Sequence, residues 1–210
     1  METDSPVAAV LAARYIGMGL DDHQTTQLAR FHDFLAGEAI KTGGIGPNEG
    51  GRLWNRHIAD SVVFGAGLGR AEDCLDVGTG VGLPGIPLAI LFPDVHFTLV
   101  DRAGRRVTLA RRACATLGLA NCDVVQSDVK NIDERYDFIV SRASLPPSDL
   151  MIHVKRLLRV PGVAMIALSR VASHYLEPVE QISGLRASVV QVPDGVLDTT
   201  VSLLRIETTT

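Results

Sequence analysis

The chain has 210 residues, 46% of them hydrophobic and 21% charged, with a formal net charge of −4. That length suits one large domain around a buried core, and the composition excludes a disordered chain. The acidic balance excludes a protein that coats nucleic acid by charge alone, because phosphate binding draws on clustered Lys and Arg, and it leaves room only for a local basic patch.

Residues 1–6 are polar and acidic and lack the basic-then-apolar pattern of a secretory signal. The longest apolar run, 86–92, contains Pro87 and ends before Pro93, which excludes a membrane span there, so a cytoplasmic protein is expected. Helices are predicted over 7–16 and 22–40, the second carrying Leu28, Phe31, Phe34 and Leu35 at helical spacing. Residues 42–51 (Thr-Gly-Gly-Ile-Gly-Pro-Asn-Glu-Gly-Gly) read as a flexible loop or lid that cannot hold a helix. A helical period resumes over 54–68. Residues 1–70 are therefore expected to form an N-terminal helical extension with a Gly-rich loop, and 71–210 the ligand-binding core of the same α/β domain.

From Cys74 onward short apolar runs alternate with helical segments, the pattern of βαβ units and a parallel sheet. Strands are expected near 74–77, 97–100, 124–126, 138–140, 163–168, 189–192 and 201–206, and helices near 84–92, 104–117, 149–158 and 173–182. Only the turn signal Pro193-Asp194-Gly195 separates the last two strands, which predicts an antiparallel hairpin at the end of a mostly parallel, seven-stranded, Rossmann-like α/β sheet. Cys74, Cys114 and Cys122 form no C-x-x-C pair and are odd in number, so they read as reduced, buried thiols rather than a zinc site or disulfides.

The stretch 75–85 (Leu-Asp-Val-Gly-Thr-Gly-Val-Gly-Leu-Pro-Gly) ends the first strand and opens the first helix of this core. Glycines there let a ligand lie close against the backbone at a helix N-terminus, which implies a nucleotide-like ligand held at Gly78, Thr79, Gly80, Gly82 and Leu83. Gly80 to Gly85 also fits G-x-G-x-x-G, so a nicotinamide-dependent oxidoreductase stays open. Asp76 favours a different ligand: a carboxylate two residues before the first glycine repels pyrophosphate and suits an amine and a sulfonium. Asp101 closes the second strand, where a carboxylate accepts both hydroxyls of a ribose, with Arg102 beside it. Asp128, between Ser127 and Val129, reads equally as an adenine contact or an exposed loop carboxylate. Arg142 stands at the carboxyl end of the fourth strand, where open α/β sheets bind ligands, and can grip a phosphate or stack on a base. His57 is the other candidate catalytic group; its bland alternative is a helix histidine bonded to Asp60.

With these residues in place the chain resembles the glucose-inhibited-division B family, the bacterial small-subunit ribosomal RNA guanine-N7 methyltransferases. The resemblance runs from about Asn55 to Leu168. Its strongest element is 76–89, Asp-Val-Gly-Thr-Gly-Val-Gly-Leu-Pro-Gly-Ile-Pro-Leu-Ala, which is similar to the family's D-V-G-[ST]-G-x-G-x-P-G-[IL]-P-[LI]-A signature. Arg56-His57-Ile58-Ala59-Asp60-Ser61 is similar to R-H-[IFL]-x-D-S, and Tyr136 to Ala143 to Y-D-x-[IV]-x-S-R-A; Leu99-Val100-Asp101 followed by Arg105-Arg106-Val107 matches as well. The chain departs from the family in having Ile40-Lys41-Thr42 where Asn-Leu-Thr is usual, and Ser169-Arg170 where Lys-Gly is usual, with Arg170 the candidate to replace that lysine.

The resemblance implies a class I methyltransferase fold, S-adenosyl-L-methionine as cofactor, and 16S ribosomal RNA or the small ribosomal subunit as partner. It also implies an active-site role for Arg142. Guanine N7 is already a lone-pair nucleophile at neutral pH, so no general base is expected and catalysis rests on positioning. N7 faces the major groove, closed to side chains in A-form RNA, so the target guanine should be unpaired. Arg52, Arg56 and Arg170 are candidate phosphate contacts, whereas Arg102, Arg105, Arg106, Arg111 and Arg112 read as a solvated helix face. A methyltransferase acting on another RNA or a small molecule, and a cofactor-binding module without catalysis, are the remaining alternatives.

Overall fold

The structure is a computed structural model, and it describes residues 4–142, 145, 147–168, 176, 179, 182–198 and 200–209. Helices α1 (Val7–Tyr15) and α2 (Asp22–Phe34) open the chain. Asp21 starts α2 with a reciprocal capping box, its carboxylate accepting from Gln24 N at 2.7 Å while the Gln24 side chain accepts from Asp21 N. Beyond Phe34 the expected helix continues as a π-wound turn, Leu35–Ala39. The helical period expected over 54–68 is divided among a π-helix (Leu53–Ala59), one α-turn, α3 (Asp60–Val62), and a 3-10 helix (Val63–Gly67).

The Gly-rich stretch corrects the expectation of a loop without helix, since Pro47–Arg52 forms a 3-10 helix. Pro47 supplies a preset φ at its first turn, where the missing N–H costs nothing. Glu49 and Arg52, three residues apart and so eclipsed in 3-10 winding, pair at 2.5 Å.

The sheet comprises β1 (Asp73–Val77), β2 (His96–Asp101), β3 (Cys122–Gln126), β4 (Tyr136–Ser141), β5 (Leu158–Ala167), β6 (Leu185–Gln191) and β7 (Ser202–Thr208). Helices α4 (Gly85–Leu91), α5 (Gly104–Leu117) and α6 (Pro147–Leu157) connect its parallel strands. The strand order is β3-β2-β1-β4-β5-β7-β6. The first five strands run parallel, and β7 pairs antiparallel with both β5 and β6, as the predicted terminal hairpin requires. β5 begins earlier than expected, at Leu158, across an irregular register between Tyr136 and Phe138 of its partner. The predicted helix over 173–182, like Arg170, falls mostly outside the described residues.

Strand alternation divides the core into two layers. Cys74, Phe97, Leu99 and Phe138 face a layer shared with α1, α2 and α4, while Leu75, Val77, Val100 and Ile139 face α6. The N-terminal helices belong to the first layer, and α2 also binds orphan carbonyls at the ends of other helices: Gln24 Nε2 donates to Leu91 O, Gln27 Nε2 to Leu117 O and Arg30 to Thr116 O. Cys74 and Cys114 are buried free thiols, and Cys122, partly buried, lies 3.4 Å from Cys114 Sγ to Sγ.

Candidate active site

Where the strand order reverses, between β1 and β4, crossovers leave to opposite faces and a crevice opens at the strands' carboxyl ends. A cavity of about 390 Å³ occupies this place. Its walls come from the ends of β1 (Val77, Gly78), β2 (Val100, Asp101, Arg102) and β4 (Arg142), from Ser127, Asp128 and Val129 after β3, and from the Gly-rich segment.

The loop after β1 is built by its glycines and by two buried carboxylates. Gly78, Gly80 and Gly82 have φ of 73°, 61° and 100°, left-handed values that other residues rarely adopt. Gly78 N and Thr79 N donate to Val100 O at 2.8 and 3.0 Å, and Gly80 N donates to Asp101 Oδ2 at 3.0 Å. Asp101 Oδ1 accepts from Ala103 N at 2.8 Å, so this carboxylate holds both the loop and the start of α5.

Asp76 corrects the expectation that its charge meets the ligand. By alternation it shares the Cys74 face, beneath α4; it is fully buried and does not line the cavity. Oδ2 accepts from Gly85 N at 2.9 Å, whereas Oδ1 has no hydrogen-bond partner among the described residues. Burial pushes its pKa up to about 7, against the opposing pull of the Thr79 hydroxyl, Gly85 N–H and Arg142. The proximity of Thr79 favours the carboxylate, yet Thr79 Oγ1 also has no hydrogen-bond partner among the described residues. Gly82 likewise lies off the cavity: a Cβ there would fall 2.2 Å from Ile86 Cδ1, so its role is close packing against α4.

The other expected residues converge on the cavity: Gly78, Thr79, Gly80, Leu83, Asp101, Arg102, Ser127, Asp128, Val129, Arg142 and His57 all line it. Asp128 does so while its Oδ1 caps the turn Val129–Asn131 through Lys130 N at 3.1 Å. Arg106 also lines the cavity, 3.7 Å from Asp101, so this member of the arginine run is not merely solvated. Among the run's other members, Arg111 donates to Val124 O and Arg112 pairs with Glu38.

His57 is not bonded to Asp60. The backbone from Leu53 to Ala59 is π-wound, which takes residues three apart off a common face. Instead Nε2 lies 3.0 Å from Glu49 Oε2, and Nδ1 lies 3.5 Å from an Arg142 amino group. Burial lowers the His57 pKa, with the Arg142 charge adding to the effect and Glu49 opposing it. Asp60, near Arg142 and Arg56, is pushed up to about 7 by burial, and its Oδ1 has no hydrogen-bond partner among the described residues. Burial lowers the pKa of Arg142, which Asp60 and Asp76 partly offset. Glu49, Gly44, Ile45 and Gly46 are cavity residues that sequence reasoning missed, because it treated 42–51 as a mobile lid rather than a wall.

These residues fit S-adenosylmethionine. The cavity is of ligand size, with apolar wall from Val77, Val100 and Val129 and with the Asp101 carboxylate in its lining. Thr79 lines the cavity, and a Cβ built on Gly80 meets nothing within 4 Å among the described residues, which leaves room for a ligand against the backbone. Among the described residues no group of acidic, His and Cys side chains is arranged to hold a metal ion, and no helix is long and apolar enough to cross a membrane.

The fold and cavity are those of a class I S-adenosylmethionine-dependent methyltransferase. Two solved structures share the fold: a ribosomal protein L11 methylase from Lactobacillus delbrueckii subsp. bulgaricus (TM-score 0.59, 14% identity, 74% of this chain and 80% of that one) and TrmN from Thermus thermophilus (TM-score 0.59, 18% identity, 74% and 53%). The family model described as rRNA small subunit methyltransferase G matches residues 24–193, and the chain belongs to that family. The ribosomal RNA small subunit methyltransferase G of Mycolicibacterium gilvum (strain PYR-GCK) is 36% identical over 170 residues, covering 78% of this chain and 74% of the relative. That of Enterobacter sp. (strain 638) is 40% identical over 146 residues, covering 67% and 69%. The chain is thus an enzyme, a methyltransferase whose cofactor is S-adenosylmethionine, and the oxidoreductase alternative falls away.

Proposed function

We propose that this enzyme methylates N7 of an unpaired guanine in 16S ribosomal RNA, as free RNA or within the small subunit, in the cytoplasm. The observation that supports this is that Arg142 and His57 line, on the β4 side, the same cavity that Gly78, Thr79, Gly80 and Asp101 line on the β1 and β2 side. The names of the relatives, which act on small-subunit ribosomal RNA, support the same substrate class.

In this mechanism Gly78, Thr79, Gly80 and Leu83 hold the cofactor against the loop, Asp101 accepts its ribose hydroxyls, and Arg102, Ser127, Asp128 and Val129 close around its base. Bound S-adenosylmethionine supplies a methyl group activated on a sulfonium. Asp76 and Gly82 shape the loop from beneath. Arg142 orients the guanine with its planar guanidinium and His57 steadies Arg142; no residue is required as general base, because N7 carries no proton to remove. Arg52 and Arg56, each about half exposed on the segment beside the cavity, offer phosphate contacts. Residues 1–70 act as an extension that closes one side of the cavity and presents those arginines to the RNA.

The test is methyl transfer from labelled S-adenosylmethionine to 16S RNA and to small subunits from a strain lacking the enzyme, with nucleoside analysis of the product. Label recovered as 7-methylguanosine supports the proposal. Label on another atom, or on another RNA only, overturns it.

A further inference from the structure

Three cavity residues from separate segments meet in a line: Glu49 from the 3-10 helix, His57 from the π-helix and Arg142 from the end of β4. Glu49 Oε2 faces His57 Nε2 at 3.0 Å, and an Arg142 amino group faces His57 Nδ1 at 3.5 Å. The two neighbours have opposite and fixed hydrogen-bonding character. An ionised carboxylate only accepts, and a guanidinium only donates.

That pairing leaves one acceptable state of the imidazole. The Nδ1-protonated tautomer would set a lone pair against the carboxylate and an N–H against the guanidinium. The imidazolium would satisfy Glu49 but bring N–H to N–H at Arg142. Only the neutral ring protonated at Nε2 satisfies both sides. The charged groups acting on this ring are Glu49, Arg56 and Arg142; burial, with the Arg142 and Arg56 charges, holds its pKa below the ordinary histidine value against the opposing pull of Glu49, in keeping with a neutral ring. Glu49 is itself held as the carboxylate: burial opposes ionisation, but the His57 hydrogen bond and the Arg52 charge outweigh it. Arg52 grips Oε1 at 2.5 Å, which leaves Oε2 for His57, and Arg56 Nε stands 3.7 Å from the same Oε2.

We infer that Glu49 is a positioning residue: by accepting a hydrogen bond from His57 Nε2–H it fixes that tautomer and turns the Nδ1 lone pair toward Arg142, setting the guanidinium's orientation in the cavity. The inference deepens the proposed function and rests on it for the role of Arg142. Glu49 thereby ties the Gly-rich wall to the substrate side of the site.

The experiment has a spectroscopic arm and a kinetic arm. Long-range proton–nitrogen spectra of the enzyme labelled at histidine nitrogen, without RNA and at neutral pH, identify which ring nitrogen carries the proton, with the His57 signals assigned by their loss in His57→Gln. Wild type should show His57 protonated at Nε2 alone. Glu49→Ala should lose that single tautomer and lower kcat for methyl transfer roughly ten- to hundredfold, as misplacement of an orienting group does, with S-adenosylhomocysteine affinity within about twofold of wild type. Glu49→Gln, which keeps an acceptor oxygen, should restore the tautomer and most of kcat. A wild-type His57 protonated at Nδ1 or at both nitrogens, or Glu49→Ala with unchanged spectrum and kcat, would overturn the inference. Because the spectra need no RNA, failure of the ribosomal substrate leaves this arm intact and refutes the proposed substrate instead.

Discussion

Replacing Gly85 by alanine should separate the packing role of the glycine motif from its ligand-facing role. A Cβ at Gly85 would fall 2.2 Å from Leu99 Cδ2, 2.7 Å from Asp76 Oδ2 and 3.3 Å from Asp76 Cβ. Comfortable carbon–carbon contact begins near about 3.5 Å, so α4 must move away from the sheet by on the order of 1 Å. Leu99 and Asp76 are both fully buried, so neither can swing clear. Overpacking of this kind costs about 1–3 kcal/mol. The same shift stretches the 2.9 Å bond from Gly85 N to Asp76 Oδ2. Weakening a bond to an ionisable group adds about 1–2 kcal/mol, and the gain in helix propensity returns less than about 1 kcal/mol. The net is a loss of about 1–5 kcal/mol, or roughly 2–20 °C in melting temperature for a chain of this size. Gly37→Ala is the control, since a Cβ there meets nothing within 4 Å, and it should be neutral or stabilising by less than about 1 kcal/mol. Calorimetric melting of the three proteins without ligand decides the matter. A Gly85→Ala melting temperature equal to that of Gly37→Ala would refute the packing argument.

Asp76→Asn should flatten the pH dependence of stability. With the folded pKa raised to about 7, the folded state binds more protons than the unfolded state between the ordinary carboxyl value and about 7, so stability is fully present at low pH and is lost as pH rises through that window. Asn removes that slope, which is at most about 1.4 kcal/mol per pH unit, while the like contribution of Asp60 remains; equal slopes in denaturant titrations at several pH values would contradict it. Arg142→Lys keeps the charge but not the planar fork, so kcat should fall at least about tenfold in the methyl-transfer assay; full activity would remove the guanidinium from the mechanism. Arg159 bridges Asp73 and Asp137 at 2.8 Å each, at the amino ends of β1 and β4, yet stays about two-fifths exposed. Arg159→Ala should therefore cost no more than about 1 kcal/mol and less at high salt, and a larger, salt-independent loss on melting would show that solvent does not screen this triad.

Much of this fold is legible in the sequence because its inner strands β1, β2 and β4 are largely buried on both faces and read as short apolar runs, and because punctuation residues mark the ends. Helix α5 was bounded at both ends, with Gly118 stopping it in a left-handed conformation at φ 67°. The convergence of Gly78, Asp101 and Arg142 on one cavity was legible too, since they close or directly follow their strands in sequence. Asp76 was misplaced because the charge argument ignored strand alternation, which puts it with Cys74 beneath α4, against a glycine nine residues on. The π winding of residues 53–59 was not legible, as apolar periodicity does not separate it from an α-helix. The pairing of Glu49 with His57 escaped for the same reason, with the further obstacle that a segment containing so many glycines reads as unstructured until Pro47 is given its weight.

The most direct test is a calorimetric titration of the enzyme with S-adenosylhomocysteine beside NADH, repeated on Asp101→Ala. Cofactor binding in the cavity at the β1–β4 reversal predicts one equivalent of S-adenosylhomocysteine bound, loss of that binding in Asp101→Ala, and no heat from NADH. No heat from S-adenosylhomocysteine, or binding untouched by the loss of Asp101, would contradict it.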